Sequence, residues 1–248
     1  MRVVVASDFH LKFTENAEDR QRRQKVIRFL HSLRGNTDVL VLNGDIFDLW
    51  YVWRRVMIRG YFSVLREFAD LAESGVKLVF VAGNHDFWFR DFLHCELGAD
   101  VCREAYRATV DGQRLFVAHG DAYTTGDMRY QVFRRLVRNP IVSWVFSVLH
   151  PDFALWLGSQ MSRSSRDVVI PPQLHRRKLA GLRRKGMQLL GAGDDIIVFG
   201  HTHDPSIETT DQGVLANSGD WIKHNSYVLI ENGRTSLHTF ENPQEEDI

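Results

Sequence analysis

Apolar residues along this chain follow two rhythms. Short unbroken runs of β-formers alternate with longer stretches in which apolar residues recur every three or four positions. The first rhythm is that of a strand buried on both faces and the second that of a helix with one buried face. Arg2–Ser7 predicts a strand ending in Asp8-Phe9-His10. Ala17–Arg34 predicts a helix whose apolar face carries Val26, Ile27, Phe29, Leu30 and Leu33, stopped by Gly35-Asn36. Asp38–Leu42 predicts a second strand, running into Asn43-Gly44-Asp45-Ile46-Phe47-Asp48. A helix around Tyr61–Glu73 follows, and Lys77–Ala82 predicts a third strand, ending in Gly83-Asn84-His85-Asp86. Strands alternating with helices imply a largely parallel sheet with crossover helices.

The rhythm then changes. Tyr106–Val110 and Arg114–Ala118 flank Asp111-Gly112 and predict a hairpin. Its second strand runs into His119-Gly120-Asp121. Residues 127 to 191 are helical in pattern, and Asp195–Phe199 predicts a strand that leads to Gly200-His201-Thr202-His203. Gly213–Ser218, Tyr227–Glu231 and Thr235–Phe240 are strand-like, with Asn232-Gly233 as a hairpin turn. The acidic stretch from Asn242 onward predicts a frayed tail. The fold class implied is α/β, as one domain over 1–248 with a helical insertion at about 127–191.

Composition narrows this little. The 248 residues suffice for one large α/β domain with a sizeable core. A net charge of zero gives no global field toward nucleic acid or membrane. The two cysteines, Cys95 and Cys102, match no zinc or redox spacing, and two thiols do not suggest a secreted disulfide scaffold. Val3–Ala6 is too short for a signal-peptide core, and no apolar run is long enough for a membrane span. A reducing cytoplasm is the default expectation.

Candidate chemistry gathers where the strands end. Asp8, His10, Asp45, Asn84, His119, His201 and His203 each lie just past an apolar run. Open α/β sheets place their ligands at strand ends. Oxygen and imidazole donors without a thiolate suit Mn, Fe, Zn or Co in a reactive site better than a structural zinc site. Two metals about 3.5–4 Å apart need a bridge, which a carboxylate supplies, and Asp45 is the natural candidate. On a regular strand the i, i+2 pairs Asp8/His10 and His201/His203 would each share a face. Any one histidine here is more often structural. Five of eleven (10, 85, 119, 201, 203) at strand ends turn the odds toward a bimetal site.

Asp8-x-His10, Gly44-Asp45-x-x-Asp48, Gly83-Asn84-His85-Asp86, a lone His119 and Gly200-His201-x-His203 resemble the calcineurin-like metallophosphoesterase family, in that family's order. The resemblance implies a four-layer αββα sandwich and two divalent metal ions. It assigns Asp8, His10, Asp45 and His203 to the first metal, and Asp45, Asn84, His119 and His201 to the second. It also makes His85 the catalytic residue that contacts the phosphoryl oxygen or protonates the leaving group, with Asp48 orienting it. Physics favours those roles. Water between two cations is a nucleophile near neutral pH, the metals neutralise phosphoryl oxygens, and a paired carboxylate raises an imidazole pKa. The implied reaction is in-line hydrolysis at phosphorus without a covalent enzyme intermediate.

The stretch 127–191 carries twelve basic and three acidic side chains, a net +9 within a neutral chain. Between its two basic groups lies the apolar block Pro140–Leu157. Pro140 and Pro151 predict two short helices there. One reading is a helical hairpin packed on the core with a solvated basic face. The other is an apolar slot and interfacial surface for acyl chains, with arginines at anionic headgroups. Its aromatics cluster in the apolar block instead of interleaving with arginines, so no nucleic acid is expected.

His119-Gly120-Asp121, Thr125, Asp127, Tyr130-Gln131, Phe133-Arg134, Pro140, Met161 and Ser164-Ser165-Arg166 are similar to the UDP-2,3-diacylglucosamine diphosphatase family of lipid A synthesis, and Gly44–Trp50 fits as well. That likeness implies a bacterial, usually Mn-dependent enzyme, peripheral on the cytoplasmic face of the inner membrane. Such an enzyme cleaves a nucleotide-sugar lipid to UMP and diacylglucosamine 1-phosphate. It puts substrate at Asn84, His85, Asp127, Ser165, Arg166 and His201. The chain departs from it at His85, where that family has Arg, and at Val168–Pro172. A soluble phosphoesterase for nucleotides, cyclic nucleotides or phosphoproteins is the second reading. A non-catalytic scaffold or a nuclease comes far behind.

Overall fold

The computed structural model describes residues 1–126, 128–166 and 171–241. Its elements follow in chain order: β1 (Val3–Ala6), α1 (Ala17–Ser32), β2 (Val39–Asn43), α2 (Phe62–Glu73), β3 (Lys77–Val81), α3 (Phe92–Leu97), β4 (Asp100–Cys102), β5 (Tyr106–Val110) and β6 (Gln113–Val117). After them come α4 (Met128–Val137), α5 (Pro140–Val148), α6 (Pro151–Arg166), α7 (Pro172–Gly191), β7 (Ile196–Phe199), β8 (Ser206–Thr210), β9 (Gly213–Asn217), β10 (Ser226–Glu231) and β11 (Arg234–Thr239).

The strands form two mixed sheets, ordered β11-β10-β1-β2-β3-β4 and β5-β6-β7-β9-β8. Strands β1 to β4 run parallel, as do β6, β7 and β9. The antiparallel strands β5, β8 and β11 sit at edges, and β10 joins β11 to the parallel strands by pairing antiparallel with β1. Both hairpin turns fall where expected. Asp111-Gly112 and Asn232-Gly233 have positive φ at both residues, the geometry that matches strand twist in a two-residue loop.

Strand alternation builds the layers. Val3, Val5, Val39, Val41, Val79 and Val81 face Leu115, Val117, Ile196 and Val198 of the other sheet in one buried cluster. The intervening Val4, Ala6, Leu40, Leu42, Leu78 and Phe80 face outward, onto Phe29 and Leu30 of α1 and Val64 and Phe68 of α2. Phe116, Ile197 and Phe199 face outward onto Leu182, Leu189 and Leu190 of α7. The result is the expected αββα sandwich. Valine dominates the inter-sheet layer because a β-branched side chain packs well on a pleated surface, and burying each contributes about 1.5–3 kcal/mol.

The sheet is less uniformly parallel than the alternation implied, and α3, β4 and β8 were not legible in it. Prolines 140 and 151 start helices, each occupying a first helical position where a missing N–H costs nothing. The second of these helices runs 16 residues, longer than the short one expected. Helix α7, within the stretch read as the insertion, supplies the outer layer over the second sheet. Among the described residues no helix is long and apolar enough to cross a membrane.

Candidate metal centre

Register brings the motifs together. Ala6 pairs with Leu42 and Asn43 with Val81 in parallel, so the chain leaves β1, β2 and β3 side by side. Val117 pairs with Val198 in the other sheet, which delivers His119 and His201 at the same edge. Backbone bonds then zip the emerging loops: Asp8 N–H to Gly44 O at 3.0 Å, His10 N–H to Asp45 O at 2.9 Å, and Gly200 N–H to His119 O at 3.0 Å.

The i, i+2 pairs do not share a strand face. Strands β1 and β7 end at Ala6 and Phe199, and the donors sit in the loops beyond. Asp8, His10, Asp45, His201 and His203 adopt φ of 56°, 46°, 53°, 66° and 56°. The left-handed region costs a non-glycine residue roughly 1–3 kcal/mol and persists only where the surroundings over-determine it. Convergence is thus reached by curled loops. Glycines supply the close approaches: a Cβ on Gly83 would collide with Asp45 Oδ1 and the Asp45 amide, and one on Gly200 with Ser7 Oγ and Asp8 Oδ2.

Asp8 and Asp45 each divide their two oxygens between scaffold and cluster. Asp45 Oδ1 accepts the backbone N–H of Asn84 (2.7 Å) and His85 (2.9 Å). Its Oδ2 lies 3.4 Å from His119 Nε2 and 3.8 Å from His10 Nε2. Asp8 Oδ2 accepts Ser7 Oγ–H and the His201 N–H. Its Oδ1 lies 3.1 Å from His203 Nε2 yet takes no well-formed hydrogen bond. His119 Nδ1 donates to Asn43 O at 2.9 Å, which leaves Nε2 facing Asn84 Oδ1 at 3.2 Å. His201 Nδ1 is 2.8 Å from the same Asn84 oxygen, and His10 Nε2 is 3.2 Å from His203 Nε2.

These donors fit divalent metal. Asp8, His10 and His203 form one group whose ligand atoms lie within 4.8 Å of one another, and Asp45, His119 and His201 form a second. Oxygen lone pairs and imidazole nitrogens crowd together with little hydrogen to separate them, an arrangement that a cation relieves. The field has the matching sign. Burial opposes a charged His119, yet Asp45 and Asp8 raise it to about 10. Burial likewise opposes ionised Asp8, yet His203 lowers it to about 2. His201, buried beside His119, falls to about 4.

The Asp48 carboxylate lies between two rings, with Oδ1 3.8 Å from His10 Nδ1 and 3.9 Å from His85 Nδ1. His85 is held more closely by the Asp48 backbone carbonyl, to which its Nδ1 donates at 3.1 Å. The closer contact of the His85 ring is therefore with the main chain of residue 48, made through Nδ1 and not Nε2. Asp127 lies outside the described residues, as do the side chains of Ser165 and Arg166 at the end of α6.

Two positioning groups went unrecognised in the sequence. Asp86 accepts four backbone N–H groups, from Asp45 (2.9 Å), Ile46 (2.8 Å), Phe47 (3.2 Å) and Gly83 (3.0 Å), and so ties the second and third strand-end loops together. Burial and the neighbouring Asp45 charge push its pKa to about 7 against those bonds. In the sequence it passes for a turn aspartate. Asp121, two residues past His119, accepts Arg134 Nε–H at 2.5 Å and lies 3.3 Å from Tyr130 Oη, which fastens α4 to the site.

The chain is similar to several known proteins. A hydrolase named UDP-2,3-diacylglucosamine hydrolase from Porphyromonas gingivalis is 27% identical over 97% of this chain and 98% of its own. A protein of the same name from Neisseria meningitidis serogroup C is 30% identical over 83% of this chain and 84% of its own. A solved structure described as a novel archaeal phosphodiesterase superposes with a TM-score of 0.52 at 12% identity, covering 97% of this chain and 100% of that one. That last likeness concerns the fold alone. The sequence model of the calcineurin-like phosphoesterases matches residues 1–205, and the chain belongs to that family as a metal-dependent phosphohydrolase.

Proposed function

We propose that this enzyme hydrolyses the pyrophosphate of UDP-2,3-diacylglucosamine, or of a close analogue, to UMP and 2,3-diacylglucosamine 1-phosphate, at the cytoplasmic face of a membrane. The observation that carries this reading is the apolar surface of the helices joined to the metal cluster. On α5, Ile141, Trp144, Val145 and Val148 recur at i, i+3, i+4 and i+7 and are 69%, 64%, 44% and 63% exposed. Phe153 and Trp156 of α6 and Val132 and Leu136 of α4 extend the exposed set. A helical stripe turned to solvent is the reverse of a core-facing helix, and it suits acyl chains or a lipid interface. The names of the relatives point the same way.

The residue roles belong to the same proposal. Asp8, His10, Asp45 and His203 would hold one ion, and Asp45, Asn84, His119 and His201 the other, with Mn the favoured metal. Bound ions supply Lewis acidity toward phosphoryl oxygens and lower the pKa of water. His85 delivers a proton from Nε2 to the leaving oxygen, and Asp48 fixes the ring. Asn84 and His201 also border the phosphoryl group. The insertion at about 127–191, with Asp127, Ser165 and Arg166, supplies specificity.

One observation favours a second reading, a phosphoesterase for nucleotides or other water-soluble substrates: His85 stands where the lipid-enzyme family carries Arg. A phosphorus-detected assay with Mn, offering UDP-2,3-diacylglucosamine beside simple phosphodiesters, separates the two. Preferred turnover of the lipid is expected. Faster turnover of water-soluble phosphodiesters would overturn the lipid assignment and leave the metal centre standing.

A further inference from the structure

Beside the Gly83–Asp86 loop, and outside the metal cluster, lies a cleft of about 280 Å3. Its wall includes Phe87, Trp88, Arg90, Arg103, Arg138 and Ser143, and among the described residues no carboxylate lines it. Three arginines line it.

Arg138, half-buried, donates from Nη2 to Gly83 O at 2.8 Å, stands 3.4 Å from Asp121 Oδ2, and packs 5.4 Å from the Phe87 ring. Its Nε is buried without a hydrogen-bond partner. Arg90 is pinned at the rim, with Nη2 donating to Tyr51 Oη at 2.9 Å and the guanidinium 5.2 Å from the Tyr51 ring. Tyr51 Oη in turn donates to Ser143 O at 3.1 Å. Trp88 Nε1 is also buried without a partner. Three arginines and no carboxylate along one concavity match an oxyanion, and arginine is the side chain best shaped to grip phosphate. The volume falls just below that of complete small-molecule sites, which run from about 300 Å3, so the cleft suits one moiety of a larger ligand.

Its position suggests which moiety. The lining begins at Ala82 and resumes at Phe87, so it brackets the loop that carries His85. We propose that the cleft is an anion subsite for the leaving group, holding a phosphate monoester that departs when the scissile bond breaks. This deepens the proposed function and rests on it for the proton-donating role of His85. In that hydrolysis the water oxygen forms the new P–O bond, the bridging P–O bond breaks, and the bridging oxygen keeps its electron pair and takes a proton. From a pyrophosphate the departing group is itself a phosphate; from a simple ester it is an alcohol or phenol. Arginines in the cleft therefore discriminate in favour of pyrophosphates.

The test compares two uridine substrates in the presence of Mn: UDP-N-acetylglucosamine, whose departing group is a phosphate, and the p-nitrophenyl ester of UMP, whose departing group carries none. Arg103 is exposed, so Arg103→Glu spares the fold. It is expected to raise KM for the pyrophosphate about tenfold with little change in kcat, and to leave the nitrophenyl ester unaffected. Arg103→Lys should recover part of the difference. Equal loss on both substrates, or no loss on either, overturns the subsite. A second arm titrates N-acetylglucosamine 1-phosphate, the departing group of the first substrate, and then inorganic phosphate into the metal-free protein. Binding of the sugar phosphate that weakens in Arg103→Glu supports the subsite, and no binding, or binding unchanged by the substitution, overturns it. Should UDP-2,3-diacylglucosamine itself not turn over, the lipid reading fails, while the paired comparison still decides the cleft.

Discussion

The strand-end cluster and helices α5 and α6 are built on opposite rules. In the cluster, large conformational costs are accepted to fix a few polar atoms: five non-glycine residues hold positive φ, and Asp8 and Asp45 each tether one oxygen to backbone or hydroxyl N–H and O–H groups. In the helices, local geometry is ordinary but large apolar side chains remain in water. Each exposed Trp, Ile or Phe forgoes roughly 1.5–3 kcal/mol that burial would give. The first region spends conformation to hold its donors in place, and the second leaves its apolar stripe open. Position in the one and partition in the other are separable, and substitutions should separate them.

The largest effect belongs to the cluster. Asp45→Ala removes both the oxygen facing the histidines and the anchor for the Asn84 and His85 amides. Hydrolysis should fall about a thousandfold or more, with loss of bound metal. Full activity at stoichiometric metal content would refute its bridging place. His85→Ala should cost about a hundredfold on substrates with poor leaving groups and much less on activated ones. A uniform loss across a leaving-group series would remove its role as an acid.

Asp86→Ala tests whether position comes from the loops and not from the donors themselves. Four buried N–H groups would lose their acceptor. Unfolding by urea should show a loss of about 3 kcal/mol or more, together with weaker metal binding. Unchanged stability would mean the loops are held by other contacts. The smallest effect is expected from Trp144→Gln combined with Trp156→Gln. Stability should hold within about 0.5 kcal/mol because both rings are exposed. Activity on the diacylated substrate in vesicles should fall about tenfold, while a deacylated analogue is unaffected. Equal activity on both would detach the exposed stripe from the substrate.

Much of the first region was legible in the sequence, because its strands are alternating β-branched runs and its donors sit where those runs stop. Asp8, His10, Asp45, Asn84, His119, His201 and His203 could be gathered without knowing how the loops curl. The curl itself was not legible: two-residue spacing suggested a shared strand face, and only backbone torsions reveal left-handed loops. Asp86 was hidden for a related reason, since an aspartate after Gly-Asn-His looks like turn chemistry until its four partners are seen. The short strands β4 and β8 lacked a periodic signal. In the second region, composition predicted helices and prolines marked their starts. Which apolar residues would face solvent depends on where Phe146 and Ala154 find partners, and pattern alone does not determine that.

Phe146 is the one large apolar side chain of α5 that is buried, and its ring lies 4.9 Å from Tyr51, 4.9 Å from Trp88 and 6.2 Å from Trp53. Those three rings come from segments that directly follow Asp48 and Asp86. The helices are therefore not an interchangeable module. A chimera that imports residues 127 to 191 from a relative would have to bring the receptor rings at 51, 53 and 88 along with them, or the graft would dock out of line with the chemistry it is meant to serve.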